Sequence, residues 1–228
     1  MRRSRCLLPV LGLLLMTTAC QGDSSAPAPI MSNGATAAAP TPPADGAVRW
    51  SRAVVWSGDL NSCRQGEAAA SRDCLIKAMQ SGGAGPDAVR AAEQLSSGGE
   101  LAFVTAWHEH DGIGVATVAY PFRANTNEGT RLIDASGNRI DVDTVQWDDA
   151  LRADPGVQAL LQAHPQATPF APAQADGSTP LDGGGVRLLY RTPLRDCHAC
   201  ANEGQLQIGY DFDAKRNFIG QQVVPVTP

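Results

Sequence analysis

Two alternating stretches, 100–110 and 113–122, flank the dipeptide Asp111-Gly112, and no other part of the chain restricts the fold as strongly. Aspartate and glycine both tolerate positive φ, which a two-residue hairpin turn needs if its twist is to match the strands it joins. The turn sets the register, placing His110 opposite Ile113, His108 opposite Val115 and Trp107 opposite Ala116. Alternation then sorts the faces. Leu101, Phe103, Trp107, Ala116, Val118 and Tyr120 fall on one, and Val104, His108, His110, Ile113 and Val115 on the other. The aromatic face is the expected core; the histidine face is expected to be solvated or covered by a helix.

The segments around this hairpin read as a short strand near 48–56, a loop carrying Cys63, and a helix over Glu67–Met79 stopped by Ser81-Gly82-Gly83. Pro86 opens a second helix that runs to about Leu95, since proline at a first helical position loses no hydrogen bond. Residues 130–134 and 138–143 form a further hairpin across Ala135-Ser136-Gly137, and Asp154-Pro155-Gly156 opens a helical run to about Ala163. A Pro/Gly/Ala-rich loop is expected over 164–185, then strands near 186–191, 205–212 and 217–224. No internal repeat is read. Helices first, then hairpin-linked strands, predict an α+β fold with N-terminal helices packed on a mostly antiparallel, hairpin-built sheet. With 43% hydrophobic and 18% charged residues in a chain of 228, a disordered, collagenous or multi-span membrane protein is excluded.

The first twenty residues carry an address. Arg2, Arg3 and Arg5 precede an apolar run from Cys6 to Met16, which falls well short of the ~20 residues a spanning helix needs and has the layout of a secretory signal. The segment Leu15-Met16-Thr17-Thr18-Ala19-Cys20 resembles the lipobox of bacterial lipoproteins, with Thr17 standing where leucine is usual. This resemblance covers only the N-terminus. It implies that residues 1–19 are a lipoprotein signal peptide, that cleavage leaves Cys20 as the first mature residue, and that Cys20 carries a diacylglyceryl thioether and a palmitate-like acyl group on its new amino terminus. Gln21, rather than aspartate, resembles the outer-membrane sorting pattern and implies a periplasm-facing anchor in that membrane. Several acyl chains at ~0.8 kcal/mol per buried methylene exceed the regime of reversible single-chain binding.

Between Gln21 and Gly46, 20 of 26 residues are Ala, Pro, Gly, Ser or Thr, so residues 20–46 read as the lipidated cysteine followed by a disordered tether. Residues 47–228 are enough for one globular periplasmic domain. Of 18 basic side chains three leave with the signal while all 23 acidic ones stay, so the mature protein is more acidic than the −5 of the whole chain. That argues against nucleic acid as a partner.

Four cysteines remain after Cys6 and Cys20: Cys63, Cys74, Cys197 and Cys200. An even count in an oxidising compartment favours disulfides, and Cys63–Cys74 with Cys197–Cys200 is the preferred of three connectivities. The first pair requires Cys63 to sit in a loop folded back over the helix that bears Cys74, because eleven helical residues would hold the α-carbons ~16 Å apart. In Asp196-Cys197-His198-Ala199-Cys200 the two cysteines could instead act as a dithiol, but the following residues read as loop and strand rather than the helix that usually lowers a thiol pKa. Residue 201 is alanine, not the histidine of a haem-attachment motif. A metal reading joins Cys197, His198 and Cys200 to His108 and His110, a set suited to Zn or Cu(I). Asp134-Ala-Ser136-Gly-Asn138 begins like a calcium loop, yet Arg139 and Val145 occupy positions that require glycine and glutamate, so a hairpin turn is expected.

Two functions follow as expectations. The first is a non-enzymatic, membrane-anchored module that binds an envelope protein or cell-wall component and uses no cofactor. The alternative is a thiol-redox or metal-handling protein centred on Cys197, His198 and Cys200.

Overall fold

The computed structural model describes residues 48–64, 71–124, 127–144 and 149–224; the signal segment, Cys20, the tether and Trp147 lie outside the described residues. Helices α1 (Arg72–Ser81) and α2 (Pro86–Leu95) precede strands β1 (Phe103–His110), β2 (Ile113–Ala119), β3 (Glu128–Ile133) and β4 (Arg139–Asp141), which pair in chain order as an antiparallel meander. Helices α3 (Asp149–Ala153) and α4 (Pro155–Ala163) then precede β5 (Thr168–Pro169), β6 (Gln174–Pro180), β7 (Val186–Arg195), β8 (Gly204–Phe212) and β9 (Phe218–Val224). β6 to β9 make a second antiparallel meander, with β5 paired to the far end of β7. The fold is α+β with antiparallel sheets. It has two sheets where one was expected, and helices stand before each of them. None of the described helices is long and apolar enough to cross a membrane.

Local chemistry starts each helix. The Ser71 side chain accepts from Cys74 N at the head of α1, and Gly85-Pro86 opens α2, whose buried stripe is Ala88, Ala91 and Ala92. Asp154 accepts from Gly156 N and Val157 N before Pro155 begins α4. Helix α1 starts at Arg72, later than the sequence suggests, and Glu67 lies outside the described residues. The expected strand over 48–56 is a single turn of 3₁₀ helix, Arg52–Val54, followed by one parallel bridge from Val55 to Val104.

The hairpin keeps the register set by its turn, with His110 paired to Ile113, His108 to Val115 and Trp107 to Ala116. Asp111 and Gly112 both take positive φ, 51° and 80°. A bulge between Val104 and Ala106 then exchanges the faces: Val104 lies opposite Val118 on the Trp107 side, and Phe103 lies opposite Ala119 on the other. The bulged Thr105 donates its hydroxyl to Thr117 O at 3.3 Å. Both faces of the sheet are consequently buried. Val54, Ala91, Val104, Ala116 and Val118 pack on the helix side, and Trp56, Leu75, Met79 and Phe103 form an adjoining cluster beneath α1. The histidine face is covered by the second sheet rather than by a helix: Ile113, Val115 and Leu132 share a core with Leu188, Tyr190, Ile208 and Phe212. His108 and His110 escape that cover because β1 is the edge strand.

The expected loop over 164–185 holds β5 and β6. Strand β6 is mostly exposed and lacks apolar alternation, so the ladder offered by β7, not its own pattern, makes it a strand.

The two meanders are also alike in sequence, a repeat visible once the strands are aligned. Asp-Gly-x-Gly-Val occurs at 111–115 and 182–186, each time leading into the second strand of its meander. Pro-Phe-Arg at 121–123 and Pro-Leu-Arg at 193–195 stand at or just beyond that strand's end, and Asn-Glu-Gly at 127–129 and 202–204 enters the third. Asp-Ala-x-x-Asn at 134–138 and 213–217 turns into the fourth. These last turns share one geometry. Asp134 Oδ1 accepts from Ser136 N and Asn138 N at 2.9 and 2.8 Å, while Asp213 Oδ1 accepts from Lys215 N and Asn217 N, both at 2.8 Å. The fourth residue is left-handed in each, Gly137 at φ 82° and Arg216 at φ 67°. The described residues from Arg72 to Val224 therefore form two rounds of helix pair and four-stranded meander, packed sheet against sheet.

One end of this sandwich is a seam of turns. Ala135 N donates to Arg216 O, Ser136 Oγ to Asn217 Oδ1, and Phe218 N to Asp134 Oδ2, at 3.0, 2.8 and 3.2 Å. The Arg216 guanidinium donates to Asp111 O and Gly184 O at 2.7 and 2.9 Å.

Candidate functional site

The two meanders place different chemistry beside equivalent connections. In the second, β7 and β8 are joined by a loop that holds the Cys197–Cys200 disulfide, with Cα atoms 5.0 Å apart. The other pair, Cys63–Cys74, is also closed, with Cα atoms 5.7 Å apart; Cys63 lies in a short 3₁₀ turn packed beneath the first turn of α1, the fold-back its spacing demands. The loop after Cys200 runs into β8 without a helix, so the two cysteines do not open a helix of their own. His198 stacks on Phe170 with ring centroids 6.0 Å apart.

His108 and His110 are not brought to this loop. They belong to the end where Asp111 receives Ser178 Oγ and Arg216 Nε, next to the start of β7. The ten residues of β7 separate that end from Cys197 by about 30 Å at ~3.3 Å per residue. Cys197, His198 and Cys200 are thus together, and the two histidines are apart from them.

Other side chains converge at the β7–β8 mouth, and no motif in the sequence marks them. His164, at the C-terminal cap of α4, sits with Asp196 and Glu203, and one ligand-type atom from each lies within 4.8 Å of the others. His164 Nδ1 is 3.2 Å from Glu203 Oε2. Nothing local in the sequence links His164 to the loop; only the packing of α4 on the start of β8 does. A Cβ on Gly204 would stand 2.7 Å from Leu160 Cδ1, which shows how closely that helix lies on the hairpin.

In the first meander the equivalent end borders a cleft of about 370 Å³ between the end of α2 and strands β2 to β4, lined among others by Ser97, Glu100, Tyr120, Arg131, Arg139 and Asp141. The buried Tyr120 organises it. Its hydroxyl accepts from Arg131 Nη2, and the Arg123 guanidinium lies 3.6 Å from its ring centroid. Arg131 Nη1 also pairs with Asp141 Oδ1 at 2.5 Å, and Arg123 forms a two-pronged pair with Glu100. Arg139 is held differently: its Nη1 donates to the neutral Gln94 Oε1 at 2.7 Å. Burial pushes the Tyr120 hydroxyl up from its ordinary value against the pull of Arg131, so it stays a neutral hydrogen-bonding group. The hydrogen bond from Arg123 holds the Glu100 carboxyl below the usual range.

Asp143 stands behind the cleft and ties the two rounds together, accepting from Thr130 N at 2.5 Å and Ala173 N at 2.7 Å. Burial raises its carboxyl above the ordinary value although both bonds oppose this. Asp134-Ala-Ser136-Gly-Asn138 is a hairpin turn whose carboxylate is fully used by the turn's own donors and by Phe218 N.

Comparison with known proteins adds no relative: no family model, curated protein or solved structure matches this chain.

Proposed function

We propose that this chain is a lipid-anchored envelope protein, tethered through Cys20 to the outer membrane and facing the periplasm, whose folded domain is a non-enzymatic binding module for an envelope protein or cell-wall component. The observation that supports this reading is the cleft around Tyr120. Its charged groups are fixed in place by Tyr120, Glu100 and Asp141, an arrangement that favours recognition because little side-chain freedom is lost on binding. Arg139 is the group best suited to meet a partner's carboxylate or phosphate, since its guanidinium is held by an amide and the Trp50 ring and forms no ion pair among the described residues.

The test uses the full chain in cells. A photo-crosslinking residue replacing the exposed Ser97 at the cleft rim should give a discrete adduct, and Arg139→Glu should abolish it while leaving the melting temperature unchanged. The same residue placed at the exposed Ile219, on β9, serves as the control. Absence of an adduct at Ser97, or one indifferent to Arg139→Glu, rejects the reading. Anchoring is tested separately: Cys20→Ser should eliminate incorporation of a palmitate analogue and release the protein from the membrane fraction.

A further inference from the structure

We propose that His164, Asp196 and Glu203 form a divalent-metal site, with zinc as the preferred ion and water completing its coordination. The donor set is one imidazole and two carboxylates, which matches the N and O ligands zinc takes at about 2.0–2.2 Å and leaves a position open. Donors on a tetrahedral ion at such distances lie about 3.4 Å apart. His164 Nδ1 and Glu203 Oε2 are already 3.2 Å apart, and the three ligand atoms lie within 4.8 Å of one another, so an ion would have to draw in the exposed Asp196. Two carboxylates also balance the charge of the ion, and Arg195, the nearest cation in sequence, has its Nε on Asn202 Oδ1 at 2.6 Å.

The backbone around the three ligands is fixed before any ion arrives. His164 N donates to Leu160 O at 2.8 Å and its carbonyl accepts from Ala167 N at 3.0 Å, so α4 ends in a defined cap. Glu203 N donates to Leu194 O at 2.8 Å, holding the loop's exit against its entry. Asp196 directly precedes the disulfide, and Cys200 N donates to Cys197 O at 3.2 Å inside it. The first meander supplies an internal control. It repeats Pro-Phe-Arg and Asn-Glu-Gly, with Glu128 in the place of Glu203, but three residues separate Arg123 from Asn127 where six separate Arg195 from Asn202. Its residue after the arginine is Ala124, not aspartate. The longer connection, with its aspartate and its disulfide, is peculiar to the end where a histidine waits.

The experiment is calorimetric titration of the full chain, purified in detergent with disulfides intact, using zinc chloride as the probe and magnesium chloride for comparison. The expected result is one saturable zinc site per chain, no magnesium binding, and at least roughly tenfold weaker zinc affinity in each of His164→Ala and Glu203→Gln. His108→Ala with His110→Ala should leave the affinity unchanged. All variants are compared by thermal melting without metal, and Glu203→Gln preserves shape where His164→Ala does not. No saturable binding up to ~100 μM zinc, or binding that survives both ligand substitutions, or binding lost with His108 and His110, overturns the site.

Discussion

The β2–β3 and β7–β8 connections start from one plan and end in different chemistry. Both leave the strand through proline, an apolar residue and arginine, and both re-enter through Asn-Glu-Gly. In the first, the arginine covers Tyr120 and a cleft of fixed charges opens beside it. In the second, three further residues make room for a disulfide, and the glutamate meets a histidine delivered by α4. The lesson is that the meander carries the fold while its connections are free to diverge, because a loop can lengthen at small entropic cost once the strands it joins are paired.

Four predictions press on this comparison. The largest effect concerns the disulfides, one to each round but in unrelated places. Loop-closure entropy gives about 3 kcal/mol for the separation of 11 between Cys63 and Cys74 and about 1.5 kcal/mol for the separation of 3 between Cys197 and Cys200. Urea unfolding of the two double-serine variants should show that order, and the second should also weaken zinc binding; equal losses would mean that the short loop does more than close a chain.

Next come the matched turn aspartates. Asp134→Ala removes the buried acceptor of three part-buried backbone donors, Ser136 N, Asn138 N and Phe218 N, and should cost about 1–2 kcal/mol. Asp213→Ala should cost less in the same unfolding assay, because Asp213 is the more exposed of the two carboxylates, and parity would show that the two turns are equivalent after all.

The matched glycines follow. A Cβ at Gly185 would sit 2.5 Å from the carbonyl oxygen of Phe212, whereas at Gly114 it would meet only the ring of Trp107, at 2.2 Å. Backbone cannot step aside as a half-buried indole can, so Gly185→Ala should cost about 1–3 kcal/mol and Gly114→Ala less, with quenching of Trp107 fluorescence as the ring moves. A larger loss at Gly114 would reverse the assignment of which neighbour yields.

The smallest effect is in acid. Burial raises the Asp134 carboxyl, but the hydrogen bonds from Asn138, Phe218 and Ser136 outweigh it and hold it below the ordinary value. A depressed carboxyl contributes stability above the unfolded value near ~4 and loses it as the pH falls through the folded one. Asp134→Asn should therefore flatten the decline in stability below about pH 4, measured as the slope of unfolding free energy against pH; an unchanged slope would assign that decline to other groups.

Legibility in the sequence followed the range of the interactions. Asp111-Gly112 fixed a register because a two-residue turn leaves no alternative, and Asp154-Pro155 announced a helix through contacts made within four residues. The bulge at Thr105 was hidden, since its only sign is an extra residue whose cost and benefit lie in packing against Thr117. Strand β6 was hidden because Gln174–Pro180 has no pattern of its own and borrows its ladder from β7. The repeat was hidden because the matching motifs are only three to five residues long and the spacing between them changes. Of the candidate sites, the disulfides could be read from cysteine count and spacing. His164 could not, being brought to Asp196 and Glu203 only by the fold.

The seam around Arg216 has a consequence for how the chain reaches its native state. Each meander is built from neighbouring strands, whereas the seam joins Asp111 to Arg216 across 105 residues and Asp134 to Phe218 across 84. Contacts of such range form late, after the local hairpins have shortened the effective distance between their ends. Arg216→Ala should accordingly accelerate unfolding in stopped-flow measurements and leave the refolding rate unchanged, whereas slowed refolding would place the seam in the nucleus. Its counterpart in the first round is Gly137, which has no side chain to reach across. The latch that closes the sandwich belongs to the later of the two rounds, so the first meander waits unlocked until the second has been synthesised.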